Sequence, residues 1–231
     1  MNADGTERTR VVSNYGYVYR SAAFSPGGGR IVYNQYRGNA RPNRRGVIYT
    51  VRTDGTDKRL IFASGDFPET PTYSPSGGRI VFAGKPRDRA WGIWTIRPDG
   101  TGLRPVTTNP DSNGVHSDHY PDWSPDGSQI EFLRYTDCDP RSCSGPIKFI
   151  RPDGSGIHGN GVSGGESRYL YAPSGDRLVS AAPGFGGYLS DCYDVFTETL
   201  AGQDRTTVTD NCANVDTASG FATSPSWQPL P

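Results

Sequence analysis

The chain has 231 residues and carries 24 acidic and 24 basic side chains, so its formal net charge is zero. Because these charges are interspersed, no basic surface for nucleic acid is expected, and no apolar stretch approaches the roughly 18 residues of a membrane span. The 30 glycines and 19 prolines supply many turn formers without reaching the roughly 25–30% that is typical of disordered chains. This composition fits an all-β domain.

The strongest signal is an internal repeat with a period of about 50 residues. Each unit has an aromatic anchor followed by a proline turn, in the segments Phe24-Ser25-Pro26, Tyr73-Ser74-Pro75, Trp123-Ser124-Pro125, Tyr171-Ala172-Pro173 and Trp227-Gln228-Pro229. Self-similarity at this period indicates a solenoid, a propeller or an array of repeated supersecondary units.

Each complete unit predicts four antiparallel strands, the first of which ends at the anchor. The second strand follows a glycine-containing turn, at 30–33, 79–82, 129–132 and 177–180. The third strand, at 48–51, 93–96, 147–150 and 195–197, leads to an Asp-Gly turn, or to Ala-Gly in the fourth unit. A last strand follows, for example at 58–62 and 103–107. Asp-Gly between alternating apolar runs is a strong hairpin signal, because glycine accepts the positive φ of a tight reversal.

The two ends of the chain match parts of a fifth unit. Residues 1–12 match an Asp-Gly turn with its outer strand, and residues 224–229 match an inner strand. We therefore expect one domain over residues 1–231, with four complete blades plus the terminal strands of a fifth. Three explanations remain open: a segment of a larger propeller, unusual closure of a small ring, or completion by a second chain.

Four-stranded units of this length, arranged radially, form a β-propeller. The segment Tyr120-Pro121-Asp122-Trp123-Ser124-Pro125-Asp126-Gly127 resembles the repeat signature of TolB-type propellers, a WD-type repeat. The resemblance covers almost the whole chain and implies a ring that generally has six blades, more than these units supply. Such blades occur in periplasmic binding proteins, in propellers attached to serine peptidases and in some polysaccharide lyases, so the fold alone does not imply function.

Four cysteines lie in polar segments of the third and fourth units. Cys138 and Cys143 bracket a variable loop, and Cys192 and Cys212 lie on either side of Gly202, the predicted tip of the last hairpin. Free thiols or a zinc site are the alternatives, but the spacing is a poor zinc pattern. We expect two local disulfides, Cys138–Cys143 and Cys192–Cys212, and hence an oxidising compartment, extracellular or periplasmic.

One segment matches a catalytic motif. Gly161-Val162-Ser163-Gly164-Gly165 has the Gly-x-Ser-x-Gly pattern of a serine nucleophile. That motif requires a strand before the serine and a helix after it. The sequence predicts a glycine-rich loop here instead, so no catalytic residue is predicted.

Polar residues before the innermost strands form the candidate binding site. Loops that lead into these strands converge at one mouth of a propeller channel, where side chains of different blades meet. Aligned on the anchors, the units place Arg20, Glu69, His119, Ser167 and Thr223 at this position, with Asp118, Glu166 and Arg168 one residue away. We predict that binding occurs at Arg20, Glu69, Asp118, His119, Glu166 and Arg168.

His116 and His119 form a His-x2-His motif beside acidic residues. Imidazole and carboxylate ligands suit Zn, Mn or Ni, so these histidines are weak metal candidates. A ligand-contacting ring and a plain solvated loop are the alternatives. We predict no metal and no other cofactor.

The favoured function is a non-catalytic, secreted or periplasmic binding module for a protein, peptide or glycan partner. It follows from complete repeats without a visible nucleophile and base. The alternatives are a metal-assisted polysaccharide lyase, or the propeller of a serine peptidase whose catalytic domain lies outside this chain. Bound metal would distinguish the first alternative from the binding module.

Overall fold

Strands and tight turns form the regular structure of the protein, which we describe from a computed structural model. The structure describes residues 9–37, 46–63, 68–86, 91–107, 117–138, 143–164, 169–183 and 193–208. None of these residues is helical. The chain divides into two compact units, Met1–Arg104 and Pro105–Pro231.

The first unit contains two antiparallel sheets, each hydrogen-bonded in sequence order. The first sheet, blade 1, consists of β1 (Tyr17–Phe24), β2 (Arg30–Arg37), β3 (Gly46–Arg52) and β4 (Arg59–Ala63). Blade 2 consists of β5 (Glu69–Tyr73), β6 (Ile80–Gly84), β7 (Gly92–Ile96) and β8 (Arg104–Pro105).

The second unit repeats this arrangement. Blade 3 consists of β9 (Ser117–Trp123), β10 (Ile130–Tyr135), β11 (Asp137–Cys138), β12 (Cys143–Ile150) and β13 (His158–Gly164). Blade 4 consists of β14 (Tyr169–Tyr171), β15 (Arg177–Pro183), β16 (Tyr193–Thr199) and β17 (Thr206–Thr207). The short β11 pairs with the beginning of β12, so it adds a small ribbon to the four main strands of blade 3. Four-stranded units were therefore predicted correctly.

The turns after the anchors fix the register between the first two strands of each blade. In blade 1, Ser25 N donates to Arg30 O and Gly28 N donates to Ser25 O, each at 2.8 Å. The same two backbone bonds recur at Ser74, Ser124 and Ala172. The Oγ atoms of the three serines also accept a bond from the backbone N–H of Arg30, Arg79 and Gln129, at or just before the start of the next strand.

The Asp-Gly turns close the third and fourth strands, as predicted. Gly55, Gly100, Gly154 and Gly202 have φ values of 85°, 84°, 87° and 71°, a region that only glycine adopts freely. In the first three turns the aspartate accepts bonds from the backbone N–H and the hydroxyl of the residue after the glycine. These hydrogen bonds lower the pKa of each of the three carboxyls.

An arginine next to the start of the second strand forms hydrogen bonds to the third strand and to the turn that follows the third strand. In blade 2, Arg79 Nη1 donates to Thr95 Oγ1 on β7 at 3.1 Å and to Gly102 O in the next turn at 3.0 Å. Equivalent pairs of bonds are made by Arg30 in blade 1 and Arg177 in blade 4. Sequence reasoning missed this role, although an arginine follows the glycine turn in the first, second and fourth units and Gln129 takes its place in the third.

Each unit buries an apolar core between its two blades. In the first unit, Val32 and Ile48 of blade 1 pack with Ile80, Phe82 and Trp94 of blade 2. In the second unit the cluster joins blade 3 to blade 4 through Ile147, Phe149, Tyr169, Tyr171 and Leu178. Sheets that bury a face against a neighbouring sheet are what a propeller requires.

The repeat pattern predicts that the anchors Phe24, Tyr73, Trp123 and Tyr171 are equivalent buried positions between blades, and for Phe24 this prediction is wrong. Trp123 and Tyr171 are each 7% exposed, and Tyr73 packs at the edge of the first core, but Phe24 is 66% exposed. Blade 2 covers one face of blade 1, through Val32 and Ala23. Phe24 lies on the other side, where the same unit has no further described blade.

The predicted disulfides and the partial fifth unit lie largely outside the described residues. Cys138 and Cys143 are cross-strand partners in the β11–β12 pairing, a register that suits a local bridge. Their side chains, and the whole of Cys192 and Cys212, lie outside the described residues. Residues 1–8 and 209–231 lie outside them as well. Both disulfides and the partial fifth blade therefore stay predictions.

The unequal burial of the anchors gives a paired prediction. Trp123→Ala should lower the free energy of unfolding by about 3–5 kcal/mol, because it removes a large buried side chain. Phe24→Ala should cost less than about 1 kcal/mol, since most of that ring is already in contact with water. Urea unfolding of both variants measures the difference, and equal losses would contradict the assigned exposures.

Candidate functional site

The innermost strands of blades 1, 2 and 3 each contain a β-bulge just after a predicted site residue. In β1 the pairing with β2 shifts between Arg20 and Ala23, so two residues oppose one. Equivalent shifts follow Glu69 in β5 and His119 in β9. The first bulge residue has positive φ in all three strands: 49° at Ser21, 43° at Thr70 and 53° at Tyr120.

This backbone is unusual because none of the three residues is glycine. A left-handed conformation is rare for other residues and is a clear outlier for a β-branched residue such as Thr70. Opposite each bulge, the second strand places one buried aromatic ring, contributed by Tyr33, Phe82 and Phe132. The sequence signal for the bulge was proline at its second position, Pro71 and Pro121, since proline cannot donate to the ladder.

In the first unit, Arg20 and Glu69 each directly precede a bulge. Strand β1 lies beside β5, so the two bulged segments belong to neighbouring innermost strands. Arg20 is exposed, and its guanidinium lies 5.8 Å from the ring centroid of Tyr36. Glu69 is half-buried. The predicted equivalence of these two positions agrees with the register of both strands.

In the second unit, Asp118 and His119 have different environments. Asp118 is fully buried, and Arg134 on β10 binds both of its carboxylate oxygens, at 2.7 and 2.9 Å. His119 is half-buried, with its ring 4.7 Å from that of Tyr135. Its Nε2 atom lies 2.9 Å from Ser117 Oγ. Asp118 therefore positions Arg134, whereas His119 is partly accessible to a ligand.

The contact between Ser117 and His119 joins a hydroxyl to a possible base. A serine nucleophile also needs a group that orients the base and donors that stabilise the oxyanion. The carboxylate between them in sequence belongs to Asp118, which points to the opposite face of the strand, as alternation requires, and bonds Arg134. This geometry supports hydrogen bonding to a ligand, and we assign no catalytic step to it.

Five candidate site residues lie outside the described residues, namely His116, Glu166, Ser167, Arg168 and Thr223. Within the described part of the chain, no group of three His, Cys, Asp or Glu side chains could hold a metal ion. His158 is an exposed residue on blade 3, with Nδ1 at 3.0 Å from Gly156 O.

Ser163 lies in a strand and not in the predicted loop. Strand β13 continues to Gly164, and Ser163 pairs with Pro146 of β12. The glycine-rich segment pairs because β12 is longer than predicted and begins at Cys143. A nucleophile elbow needs a helix after the serine, and the described residues contain none.

Comparison with known proteins identifies the fold. No protein-family model matches the chain. An uncharacterised protein from Agrobacterium fabrum is 27% identical over 141 residues, which are 57% of this chain and 45% of that protein. TolB from Acinetobacter baumannii has a TM-score of 0.65 at 16% identity, over 90% of this chain and 47% of TolB. The fold is that of a TolB-like β-propeller.

This propeller fold is shared with an enzyme. An oligogalacturonate lyase in complex with manganese has a TM-score of 0.61 at 15% identity, over 88% of this chain and 58% of the lyase. The chain thus spans about half the length of each of these three proteins. In the described segments, no helix is long and apolar enough to cross a membrane.

The bulges predict an unusual tolerance of glycine. Thr70→Gly should cost at least about 1 kcal/mol less than Thr72→Gly, because glycine removes a left-handed penalty of about 1–2 kcal/mol at position 70. Thr72 is a matched control, since it is equally buried and has an ordinary strand partner, Val81. Chemical unfolding measures both losses, and a larger loss for Thr70→Gly would contradict the bulge.

Proposed function

We propose that this TolB-like propeller is a non-catalytic binding module whose ligand contacts the bulged ends of its innermost strands. The contact residues are Arg20, Glu69 and His119, with Glu166 and Arg168 contributing from the fourth unit. The partner is a protein or peptide with exposed polar side chains, and a glycan is the second possibility.

One observation supports this proposal above the others. In three blades a residue other than glycine is held in left-handed backbone immediately after the proposed contact residue. Such strain costs roughly 1–3 kcal/mol per residue and is concentrated at functional sites. Bulges also redirect side chains, and they are over-represented beside binding sites. Three copies at one repeat position indicate a feature of the innermost strands and not a local irregularity.

The chemistry of these residues suits a polar ligand of mixed charge. Arg20 supplies an exposed guanidinium, Glu69 a half-buried carboxylate and His119 an imidazole beside a hydroxyl. Each can form a charge-assisted or neutral hydrogen bond to a peptide or a sugar. The similarity in fold to TolB makes a secreted or periplasmic location the natural expectation, in agreement with the predicted disulfides.

The lyase remains the alternative because a propeller of similar fold is an oligogalacturonate lyase in complex with manganese. Metal-assisted chemistry would need several ligands that converge on one ion. The described residues offer no group of three suitable side chains, so they do not fit such a metal. His119 alone would be insufficient.

The proposal is tested by replacing the contact residues together. The variant Arg20→Ala, Glu69→Ala, His119→Ala should bind ligands selected from peptide and glycan arrays at least tenfold more weakly than the native protein. Its stability should change little, because none of the three side chains belongs to a core cluster. A binding assay on the immobilised ligand measures the affinity of each protein, and circular dichroism shows whether the variant is folded.

A matched variant controls for the loss of surface charge. Arg151→Ala, Asp153→Asn and His158→Ala change an arginine, an acid and a histidine in exposed positions in or next to the last turn of blade 3, and should leave binding unaltered. Equal affinity of the contact variant and the native protein would refute the proposed surface. Release of unsaturated products from oligogalacturonate would show that the protein is a lyase. Ester hydrolysis that is lost in Ser117→Ala would show that it is a hydrolase, and either result would contradict the proposal of a non-catalytic module.

A further inference from the structure

Blade 1 contains an aspartate bound by three arginines. Asp57 Oδ2 lies 2.7 Å from Arg30 Nη1 and 4.0 Å from Arg52 Nε, and Asp57 Oδ1 lies 2.8 Å from Arg59 Nε. Hydrogen bonds from Arg59 and Arg30 lower the pKa of Asp57 to about 2. The carboxylate therefore stays ionised within a cluster of three positive charges.

Blade 2 has the same three arginines without the aspartate. The turn 52–59 reads R-T-D-G-T-D-K-R, and the turn 97–104 reads R-P-D-G-T-G-L-R. Arg79, Arg97 and Arg104 thus correspond to the arginines of blade 1, and Gly102 stands in the place of Asp57. Asp99 does not replace the missing acid, because it bonds Thr101 just as its counterpart in blade 1 bonds the next threonine.

The arginines of blade 2 surround the position that the missing side chain would fill. A Cβ atom added to Gly102 would lie 3.4 Å from Arg97 Nη1 and 3.7 Å from Arg79 Nη2. Arg79 is held there by its bonds to Thr95 Oγ1 and Gly102 O. Burial lowers the pKa of Arg79, and the positive charges of Arg104 and Arg97 lower it further. The site thus holds one guanidinium in a fixed position and brings it within range of the positive charges of two others.

We propose that Arg79, Arg97 and Arg104 form a carboxylate-binding site around Gly102, in which a ligand carboxylate takes the place of the Asp57 carboxylate in blade 1. Guanidinium groups bind carboxylates through charge-assisted hydrogen bonds, which are stronger than neutral ones. The ligand is a small organic acid or an acidic side chain of another protein. This site lies in the outer turn of blade 2 and is separate from the innermost strands.

The other two blades show why the site is confined to blade 2. Blade 3 has Gln129 and His158 in place of two arginines, and only Arg151 remains beside Gly156. Blade 4 has Asp204 at the turn position, with Thr199 and Thr206 at two of the arginine positions. The described blades therefore include one that has the three arginines and lacks the acid.

An internal exchange of residues provides the test. In ¹⁵N-labelled protein, the Nε–Hε signals of Arg79, Arg97 and Arg104 should shift saturably when citrate is added at constant ionic strength. Gly102→Asp should weaken this response at least tenfold, because the new carboxylate occupies the site. Aspartate fits this backbone, since Asp57 and Asp204 have φ values of 50° and 51° at the same turn position, close to the 65° of Gly102.

Two further variants make the result specific. Asp57→Gly should create a second saturable response, at Arg30, Arg52 and Arg59. Gly156→Asp, which makes the same charge change in blade 3, should leave the citrate response of blade 2 within twofold of the native protein.

A hexaglutamate peptide titrated in the same way distinguishes an acidic protein side chain from a small acid, according to which binds more tightly. Unsaturable shifts with both ligands would overturn the proposal. An unchanged citrate response in Gly102→Asp would overturn it as well.

Discussion

The register that two hydrogen-bonded turns impose on each blade is the constraint on which the rest of the structure depends. The turn after the anchor pairs Ser25 with Arg30 in blade 1, and the Asp-Gly turn closes the third and fourth strands. An arginine bonds across both regions in three blades. A slip of one residue would turn every buried side chain of a strand to the opposite face, so these turns also determine which residues form the core.

This register also explains why equivalent residues of different blades have equivalent environments. Because the anchors are aligned, the bulges of β1, β5 and β9 occur at one repeat position, and one of the proposed contact residues precedes each of them. Changes within a constant frame can then give a blade its own chemistry. The exchange of Asp57 for Gly102 is one such change, and it alters the charge of a turn while leaving its backbone nearly unaltered.

Much of the fold was predictable because its signals are local. Asp-Gly turns, proline turns and alternating apolar residues each act within a few neighbours, so strand order and turn positions followed from the sequence. Phe24 was mispredicted because its burial depends on whether another blade covers it, which a repeat pattern does not contain. Glu131 and Glu198 are also almost fully buried, at positions where the other blades have Val or Ile, and the charge of a glutamate gives no local sign of such burial.

The candidate site was predictable in position but not in geometry. Alignment of the repeats identified Arg20, Glu69 and His119, yet the bulges depend on pairing with the second strand, and the bond between Asp118 and Arg134 joins residues of two strands. The arginine cluster of blade 2 was not predicted, because only the structure of blade 1 shows that Asp57 binds three arginines at the equivalent positions. Long-range pairing therefore accounts for what sequence reasoning missed.

The central claim is that three innermost strands share a left-handed residue that directs the proposed contact residues. Intraresidue amide-to-Hα nuclear Overhauser effects in the labelled protein test it most directly, because positive φ brings these two protons close together. The account predicts strong effects at Ser21, Thr70 and Tyr120 and weak effects at Arg20, Glu69 and His119. Uniformly weak effects at all six residues would show regular strands and would contradict it.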